Sequence, residues 1–382
     1  MGVSPPLIIQ ATLTQLTTGP LALNARTMSN LPTPPSFQPV RSPWRWLQGI
    51  CLMLLSLGLL LSGAWAVLAL HYQLPAAPPW RVLAGAAWAL LALSATVLLW
   101  RGHAVRALLT YGIAFALLMG WWVRIAPSDT RVWTDDVARH LQSQLNANLL
   151  TLTNVRNFDW RSDTDYTPRW ETRRYNLDRL QSVDMAVSYW MGPAIAHTLV
   201  SFGFDNGQGG TEQLVFSIEI RRERGEQFSA LAGFFKQFEL VLVAADERDL
   251  LRVRTNVRGE DVFLYRVQMP HEARRALLLA YLVEADTLAT NPRFYDTLLA
   301  NCTTVVYGMA QRIVGGLPID WRLLASGYLP EYLNDVDALV PGYDLATLRT
   351  AGRITLRAQA ADADPMFSQA IRRGVPGMRV QP

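Results

Sequence analysis

The stretch IAHTLVSFGFDNGQGGTEQLVFSIEIR, residues 195–221, has the pattern of two β-strands joined by a short loop. Apolar and polar residues alternate over much of 195–204 and 213–221, which is the period of a strand with one face buried. The segment DNGQGG between them is rich in the residues that turns require. The sequence therefore predicts an antiparallel hairpin, and with it a sheet built from neighbours in the chain.

Further strand and helix patterns lie on both sides of this hairpin. Strand patterns occur at 183–190, 238–245 and 261–269, and helical patterns at 270–290 and 302–313. Strands followed by helices are typical of an α+β domain with a mostly antiparallel sheet. We therefore expect an α+β domain over residues 151–382.

Three long uncharged stretches precede this domain. They are residues 47–70, 82–100 and 107–123, with 24, 19 and 17 residues. About 20 apolar residues cross the hydrocarbon core of a bilayer, so we expect a three-helix transmembrane region over 41–123. A secretory signal peptide is the competing interpretation of the first stretch. The stretch is too long for one, and two more follow it.

Arginines beside these stretches predict the orientation of the chain in the membrane. Arg41 and Arg45 precede the first stretch, and Arg101 and Arg106 lie in the loop between the second and the third. Positive residues accumulate on the cytoplasmic side, so we expect a cytoplasmic N-terminus and an exterior domain after Val123. In a bacterium, this is a multi-pass protein of the inner (cell) membrane with its C-terminal domain in the periplasm.

Two flanking segments complete the predicted organisation. Residues 1–40 are rich in Pro, Ser, Thr and Asn without sustained periodicity, so we expect a disordered cytoplasmic tail. Within 124–150, a short polar linker precedes apolar residues at steps of four, which predicts an amphipathic helix. These apolar residues are Trp133, Val137, Leu141, Leu145 and Leu149.

The composition argues against several classes of protein. The net charge is +4 without a dense basic run, so nucleic acid is not an expected partner. The sequence has no phosphate-binding loop, no GxSxG elbow and no cysteine–histidine metal spacing, and we expect neither cofactor nor metal. Of its two cysteines, Cys51 lies in the first membrane stretch. Cys302 is alone in the exterior domain, which therefore cannot form an internal disulfide.

Cys302 is a candidate nucleophile because it lies at a predicted helix start. Asn301, Thr303 and Thr304 surround it with residue types that favour helix N-termini. Free backbone N–H groups there stabilise an anion, so they lower the pKa of a cysteine and can hold an oxyanion. A small buried residue at a helix cap is the structural alternative, since cysteine is among the most buried residue types.

His197 is the candidate general base. It lies in the middle of the predicted strand 195–204, where its side chain would be held rigidly, as a base must be. A hydrogen-bonded histidine of the core is the alternative. His140 falls on the predicted amphipathic helix, and His271 lacks the second histidine of the zinc-binding HExxH pattern.

A third residue that orients the imidazole is expected on the neighbouring strand. Ser217 and Glu219 lie on one face of that strand, and either could be next to His197 in the hairpin. Glu219 is the better candidate on chemical grounds. The alternative for this carboxylate is an ion pair at the strand edge with Arg221 or Arg222.

Several long blocks resemble the bacterial Lnb-type periplasmic domain, a family associated with lipoprotein N-acyltransferases. They occur in order over most of residues 150–330: NVRNFDWRSDTDYTPRWETRRYNLDRL, SYWMGPAIAHTLVSFGF, FSIEIRRERGEQFSALAGFFKQFELVLVAADERD, RTNVRGEDVFLYR and NCTT. The family's histidine block matches His197, and its cysteine block matches Cys302. The resemblance implies a Cys–His acyltransferase with a circularly permuted papain-like (NlpC/P60-like) fold, because the histidine precedes the cysteine.

The resemblance also implies a mechanism and partners. Cys302 would attack an ester of a membrane phospholipid with His197 as base. The acyl group would then pass, through a thioester, to the α-amino group of the lipidated N-terminal cysteine of a bacterial lipoprotein. Two alternatives stay open. One is a cysteine amidase or peptidase acting on peptidoglycan or protein with the same pair, and the other is a non-catalytic membrane-anchored scaffold that binds lipoproteins.

Overall fold

The computed structural model describes residues 43–378. By its internal contacts the chain divides into two units between Met53 and Leu54. Of the first unit, the described part is the opening of a single long helix. The predicted tail at 1–40 lies outside the described residues.

Three long helices open the described chain: α1 (Pro43–Gln73), α2 (Pro78–Trp100) and α3 (Ala104–Arg124). All three are long and apolar enough to cross a membrane. The shortest has 21 residues, which gives roughly 31 Å at the rise of an α-helix and matches the hydrocarbon core. The expectation of three long apolar N-terminal helices is confirmed.

Small residues and hydroxyl groups bring these helices together. A Cβ atom on Gly63 of α1 would lie 2.7 Å from the Cβ of Ala92 on α2, so only glycine permits this approach. The hydroxyls of Ser62 on α1 and Tyr111 on α3 form a hydrogen bond of 2.8 Å. Close approach at small residues and interhelical hydrogen bonds are the interactions by which helices associate in lipid.

A mostly antiparallel sheet follows the three helices. In chain order, the strands of the described residues are β1 (Gln142–Asn146), β2 (Leu149–Arg156), β3 (Asp159–Trp160), β4 (Tyr166–Thr167), β5 (Trp170–Asn176), β6 (Leu180–Met191), β7 (Ile195–Asp205), β8 (Thr211–Arg221), β9 (Glu239–Ala245) and β10 (Asp261–Val267). The main sheet has the order β1-β2-β9-β8-β7-β6-β10, and β5 also pairs with β2. β2 and β9 meet at a parallel bridge, and β3 pairs with β4 in a separate ribbon.

The hairpin predicted from residues 195–221 is confirmed as β7 and β8. Their ladder runs from the pair Asp205–Thr211 at the loop to the pair Leu199–Ser217. In the loop, the side-chain oxygen of Asn206 accepts hydrogen bonds from the backbone of residues 208 and 210. This is the local chemistry by which asparagine forms turns.

Helices cover both faces of the sheet. They are α4 (Glu247–Arg252), α5 (His271–Thr290), α6 (Cys302–Val314), α7 (Leu329–Asp335), α8 (Leu345–Gly352), α9 (Thr355–Ala360) and α10 (Phe367–Arg372). Side chains of α5 and α6 pack with Val200 and Phe202 of β7 in one core. Side chains of α4, α9 and α10 pack with Leu199 and Val215 in another. The predicted α+β class is confirmed, and successive residues of β7 face opposite cores.

The prediction of an amphipathic helix within 124–150 is wrong. One 3₁₀ turn, Asp135–Val137, is followed by β1 and the start of β2. Leu141 is fully buried, but Leu145 and Leu149 are 44% and 47% exposed, so these apolar residues do not share one buried face. The segment forms strands instead of a helix because β2 forms backbone hydrogen bonds with both β1 and β5. The spacing of apolar residues within one segment carries no information about which other strands will pair with it.

The ends of α1 and α3 contact the exterior domain at one segment. The ring of Phe235 stacks on Tyr72 at 5.6 Å between centroids and meets Trp122 edge-on at 6.3 Å. Lys236 donates from Nζ to the carbonyl oxygens of Trp122 (2.8 Å) and Ile125 (3.1 Å). We call these five residues the docking contact. It attaches the domain directly to the ends of two apolar helices.

Candidate active site

Cys302 is the first residue of α6, as the sequence predicts. The side-chain oxygen of Asn301 accepts hydrogen bonds from the backbone N–H groups of Thr303 (2.9 Å) and Thr304 (3.0 Å). In return, the Thr304 hydroxyl accepts from the Asn301 N–H at 3.0 Å, which completes a capping box. The box fixes the start of the helix, and with it the position of the half-buried thiol.

His197 lies on β7, next to both residues proposed to orient it. Its Nε2 atom is 2.7 Å from Ser217 Oγ and 3.3 Å from Glu219 Oε1. Ser217 donates its hydroxyl hydrogen to Glu219 Oε1 at 2.7 Å. Because that hydrogen is already used, Nε2–H is the donor toward Ser217. This arrangement leaves Nδ1 to exchange a proton with a thiol.

The thiol of Cys302 and the imidazole of His197 interact strongly. Burial raises the pKa of Cys302, but the charge and hydrogen bond of His197 and a hydrogen bond from the Thr198 backbone lower it below its usual value. Burial and Arg254 lower the pKa of His197, yet Glu219 and the Cys302 thiolate outweigh them and raise it to about 9. The two shifts together favour a thiolate–imidazolium pair at neutral pH.

A buried arginine holds the carboxylate of Glu219. Arg254 lies in a π-helical turn, Val253–Val257, and its guanidinium contacts Glu219 Oε1 and Glu260 Oε2, each at 3.1 Å. Ser188 of β6 donates a hydrogen bond to the same oxygen of Glu260. Burial alone would raise the pKa of Glu219, but the charges of His197 and Arg254 hold it well below its ordinary value. Glu219 therefore stays ionised and keeps Nε2 protonated.

The sequence suggested the wrong arginine as the alternative partner of Glu219. Arg221 instead contacts Asp129, and Arg222 is 3.5 Å from Asp136. Arg254 was missed because it follows Glu219 by 35 positions and reaches it only through the π-helical turn. Its occurrence within the block RTNVRGEDVFLYR is the one signal that could have drawn attention to it.

The remaining candidates do not join this group. His140 contacts Asp129 through Nε2 at 2.9 Å, and His271 begins α5. Cys51 is exposed on α1. Within residues 43–378, no group of three or more His, Cys, Asp and Glu side chains is arranged to hold a metal ion.

Comparison with known proteins identifies the domain that carries the site. No curated protein and no solved structure matches the chain. Residues 166–327 match the family model of the Lnb N-terminal periplasmic domain, and His197, Glu219 and Cys302 all lie within this range. The match confirms the resemblance of the sequence blocks to the Lnb-type family. The chain is therefore a membrane protein that matches, over residues 166–327, the Lnb N-terminal periplasmic domain.

Proposed function

We propose that the protein is a lipoprotein N-acyltransferase with Cys302 as nucleophile and His197 as acid and base. The observation that carries this proposal is the placement of the Cys302 thiol, at the capped start of α6, against the imidazole of His197, whose Nε2 is 3.3 Å from Glu219 Oε1. A nucleophile, a base and a group that orients the base are the components of nucleophilic acyl transfer. The match to the Lnb N-terminal periplasmic domain supports the same proposal, because the family that the sequence blocks resemble implies a Cys–His acyltransferase.

The first half-reaction transfers an acyl group from a membrane phospholipid to the enzyme. The Cys302 thiolate attacks the ester carbonyl carbon, and the oxyanion forms beside the start of α6. The backbone N–H of Cys302, the first residue of α6, has no acceptor within the helix and can therefore hold this oxyanion. The carbon–oxygen bond then breaks, and the imidazolium of His197 gives its proton to the departing alkoxide. The products are a lysophospholipid and a thioester on Cys302.

The second half-reaction transfers the acyl group to the lipoprotein. The free α-amino group of the lipidated N-terminal cysteine attacks the thioester carbonyl, and the now neutral His197 accepts a proton from the nitrogen. The carbon–sulfur bond breaks, and Cys302 leaves as a thiolate. An amide has formed, and the thiolate–imidazolium pair is restored. Glu219 stays ionised throughout because the guanidinium of Arg254 stabilises its charge even while His197 is neutral.

An exposed apolar surface supports a substrate in the membrane. We call it the apolar rim, and it consists of Phe228, Leu231, Phe234, Leu298 and Leu299, which are 40% to 81% exposed. Its first part directly precedes Phe235 of the docking contact, and its second part is separated from Asn301 and Cys302 only by Ala300. The hydroxyl of Thr297 donates to the carbonyl of Ala230 at 2.8 Å and joins the two parts. Exposed apolar clusters mark membrane or partner surfaces.

The test is lipid analysis with the full-length protein in phospholipid vesicles. The vesicles also hold a synthetic diacylated lipopeptide with a free α-amino group. We expect an N-acylated lipopeptide together with an equal amount of lysophospholipid, and neither product from Cys302→Ala. Free fatty acid without N-acylated lipopeptide would identify a hydrolase instead. Absence of every acyl product would leave the protein without an acyl-transfer function.

A further inference from the structure

We propose that the cavity beside Cys302 binds the hydrocarbon tail of a fatty acyl chain carried as a thioester on that residue. This inference rests on the proposed function and adds to it the site that receives the lipid. The cavity has a volume of about 230 Å³ and lies between strands β6 and β7 and helix α6, with α7 at its other side.

One end of the cavity adjoins the nucleophile. Thr198 and Thr303 line this end. The backbone of Thr198 forms a hydrogen bond with the Cys302 sulfur, and the Cys302 sulfur is also 3.9 Å from the Thr303 hydroxyl. The two threonine hydroxyls are 3.3 Å apart, so they can satisfy each other. A carbon chain that extends from a thioester on Cys302 past these threonines enters the cavity.

The wall formed by α6 is an apolar stripe that begins at Thr303. Val306, Ala310 and Val314 follow it at intervals that place all four residues on one side of the helix, and all four line the cavity. The stripe covers 12 residues, 303–314, whose ends are roughly 16 Å apart along the axis of an α-helix. Such a long apolar wall suits an extended hydrocarbon chain as its ligand.

The tyrosines of the cavity contribute apolar surface. The hydroxyl of Tyr307 donates to the carbonyl of Leu317 at 2.8 Å, and that of Tyr332 donates to the carbonyl of Pro318 at 3.0 Å. Both hydroxyls are therefore already paired within the protein. A polar ligand in this part of the cavity would lose its hydrogen bonds to water without gaining these hydroxyls as partners. An alkyl chain makes no hydrogen bonds to water, so its contact with the rings carries no such cost.

The other polar residues lie where the cavity meets the surface. Gln268 and Asp337 line it and are both exposed to solvent. Apart from the tyrosines, the polar lining is therefore limited to the threonines beside Cys302 and these two exposed residues. A cavity of this volume favours acyl chains up to a limiting length, because a longer chain would expose methylene groups to water.

The first experiment maps the tail of an acyl group that is already on the enzyme. The full-length protein is treated with the p-nitrophenyl ester of a long-chain fatty acid that carries a diazirine at its methyl end. The Cys302 thiolate attacks the ester carbonyl, p-nitrophenolate leaves, and a thioester forms without any phospholipid. After illumination, we expect crosslinks to peptides containing residues 306–314 and 329–338. Crosslinks confined to other peptides would overturn the inference.

The second experiment reduces the space in the cavity. Ala310→Phe adds a ring inside it, and the matched control Gln311→Phe adds the same ring at the next, exposed position of α6. We expect Ala310→Phe to lower the ratio of long-chain to acetyl transfer from p-nitrophenyl esters by about ten-fold or more, since small changes in an apolar pocket discriminate by 10–200-fold. Acetyl transfer itself reports that the variant is folded. Equal ratios in both variants would overturn the inference.

The outcomes also separate this inference from the proposed function. If crosslinks map to the cavity but vesicles yield no lysophospholipid, the acyl site holds and the phospholipid donor is wrong. If vesicles yield N-acylated lipopeptide but crosslinks map elsewhere, the function holds and the site is wrong. If Cys302 accepts no acyl group even from the activated ester, both are wrong.

Discussion

At the scale of residues, the site is a series of ionisable groups in contact with one another, from Arg254 to the thiol of Cys302. Arg254 fixes Glu219, Glu219 keeps Nε2 of His197 protonated, and the imidazolium stabilises the Cys302 thiolate. The sequence predicted Cys302, His197 and Glu219, because a helix start and facing strand positions are local patterns. It could not predict Arg254, since that contact depends on where a distant irregular turn packs.

The pH dependence of acyl transfer tests this series of ionisable groups. His197 has its pKa raised to about 9, so the imidazolium is present below that pH and is lost above it. Lysophospholipid release should therefore fall above about pH 9. Glu219→Gln removes a charge that raises this pKa, and the falling limb should move down by about 1–3 pH units. Glu272→Gln, at an exposed position of α5, should leave the limb in place. An unmoved limb in Glu219→Gln would contradict the assigned role.

Substitution of the pair itself tests the covalent intermediate. Cys302→Ala should form no thioester, while its free energy of unfolding changes by about 1–2 kcal/mol, as for an ordinary substitution. His197→Ala should slow thioester formation by about 10²–10⁴-fold, the contribution of a positioned acid or base. Peptide mass mapping must separate Cys302 from Cys51, because acylation of Cys51 in the membrane would mimic the result. An acyl group found only on Cys51 would refute the mechanism.

At the scale of elements, capping and pairing decide which predictions succeed. The hairpin and the start of α6 are confirmed because their signals are local: a turn between alternating strands, and Asn301 before a helix. The prediction of a helix within 124–150 is wrong because β2 pairs with a neighbouring strand on each side. Apolar spacing in a short segment does not distinguish a helix from an edge strand whose leucines stay exposed.

Removal of the cap on α6 should affect chemistry as well as stability. Asn301→Ala leaves the N–H groups of Thr303 and Thr304 without their acceptor and frees the helix start that positions Cys302. Asp344→Ala is a matched control, since Asp344 caps α8 by accepting from the Thr347 N–H at 2.7 Å. Each variant should lose about 0.5–2 kcal/mol of stability in denaturant unfolding. Only Asn301→Ala should slow alkylation of Cys302 by iodoacetamide, and equal rates in both would contradict a role of the cap in positioning the thiol.

At the scale of the whole molecule, the docking contact and the apolar rim lie between the apolar helices and the candidate site. Phe235 contacts the ends of α1 and α3, and the rim continues from it to the residues before Cys302. The sequence predicted the apolar helices from their length and composition. It could not predict the docking contact, because Phe235 and Lys236 have no distinguishing pattern and acquire their role only through tertiary packing.

The apolar rim should matter for substrates in a bilayer but not for soluble ones. The double variant Leu231→Ser and Phe234→Ser reduces its apolar surface, so lysophospholipid release from vesicles should fall by about ten-fold, equivalent to about 1.4 kcal/mol of lost apolar contact. Acetyl transfer from a soluble p-nitrophenyl ester should stay unchanged. Leu356→Ser, which removes an exposed leucine of α9, should alter neither rate. Loss of both rates in the double variant would point to misfolding rather than to lipid access.

The single lysine of the chain bears on how long an acyl-enzyme survives. A thioester is consumed by any amine that reaches it, and lysine side chains are the usual internal competitors in a protein. Here Lys236 is the only lysine, and its ammonium is bound by two carbonyl oxygens at the end of α3. The other cationic side chains are almost all arginines, which stay protonated and do not act as nucleophiles. The protein therefore has little capacity for self-acylation, and under the proposed mechanism an acyl group on Cys302 would persist until the amine of an acceptor reaches it.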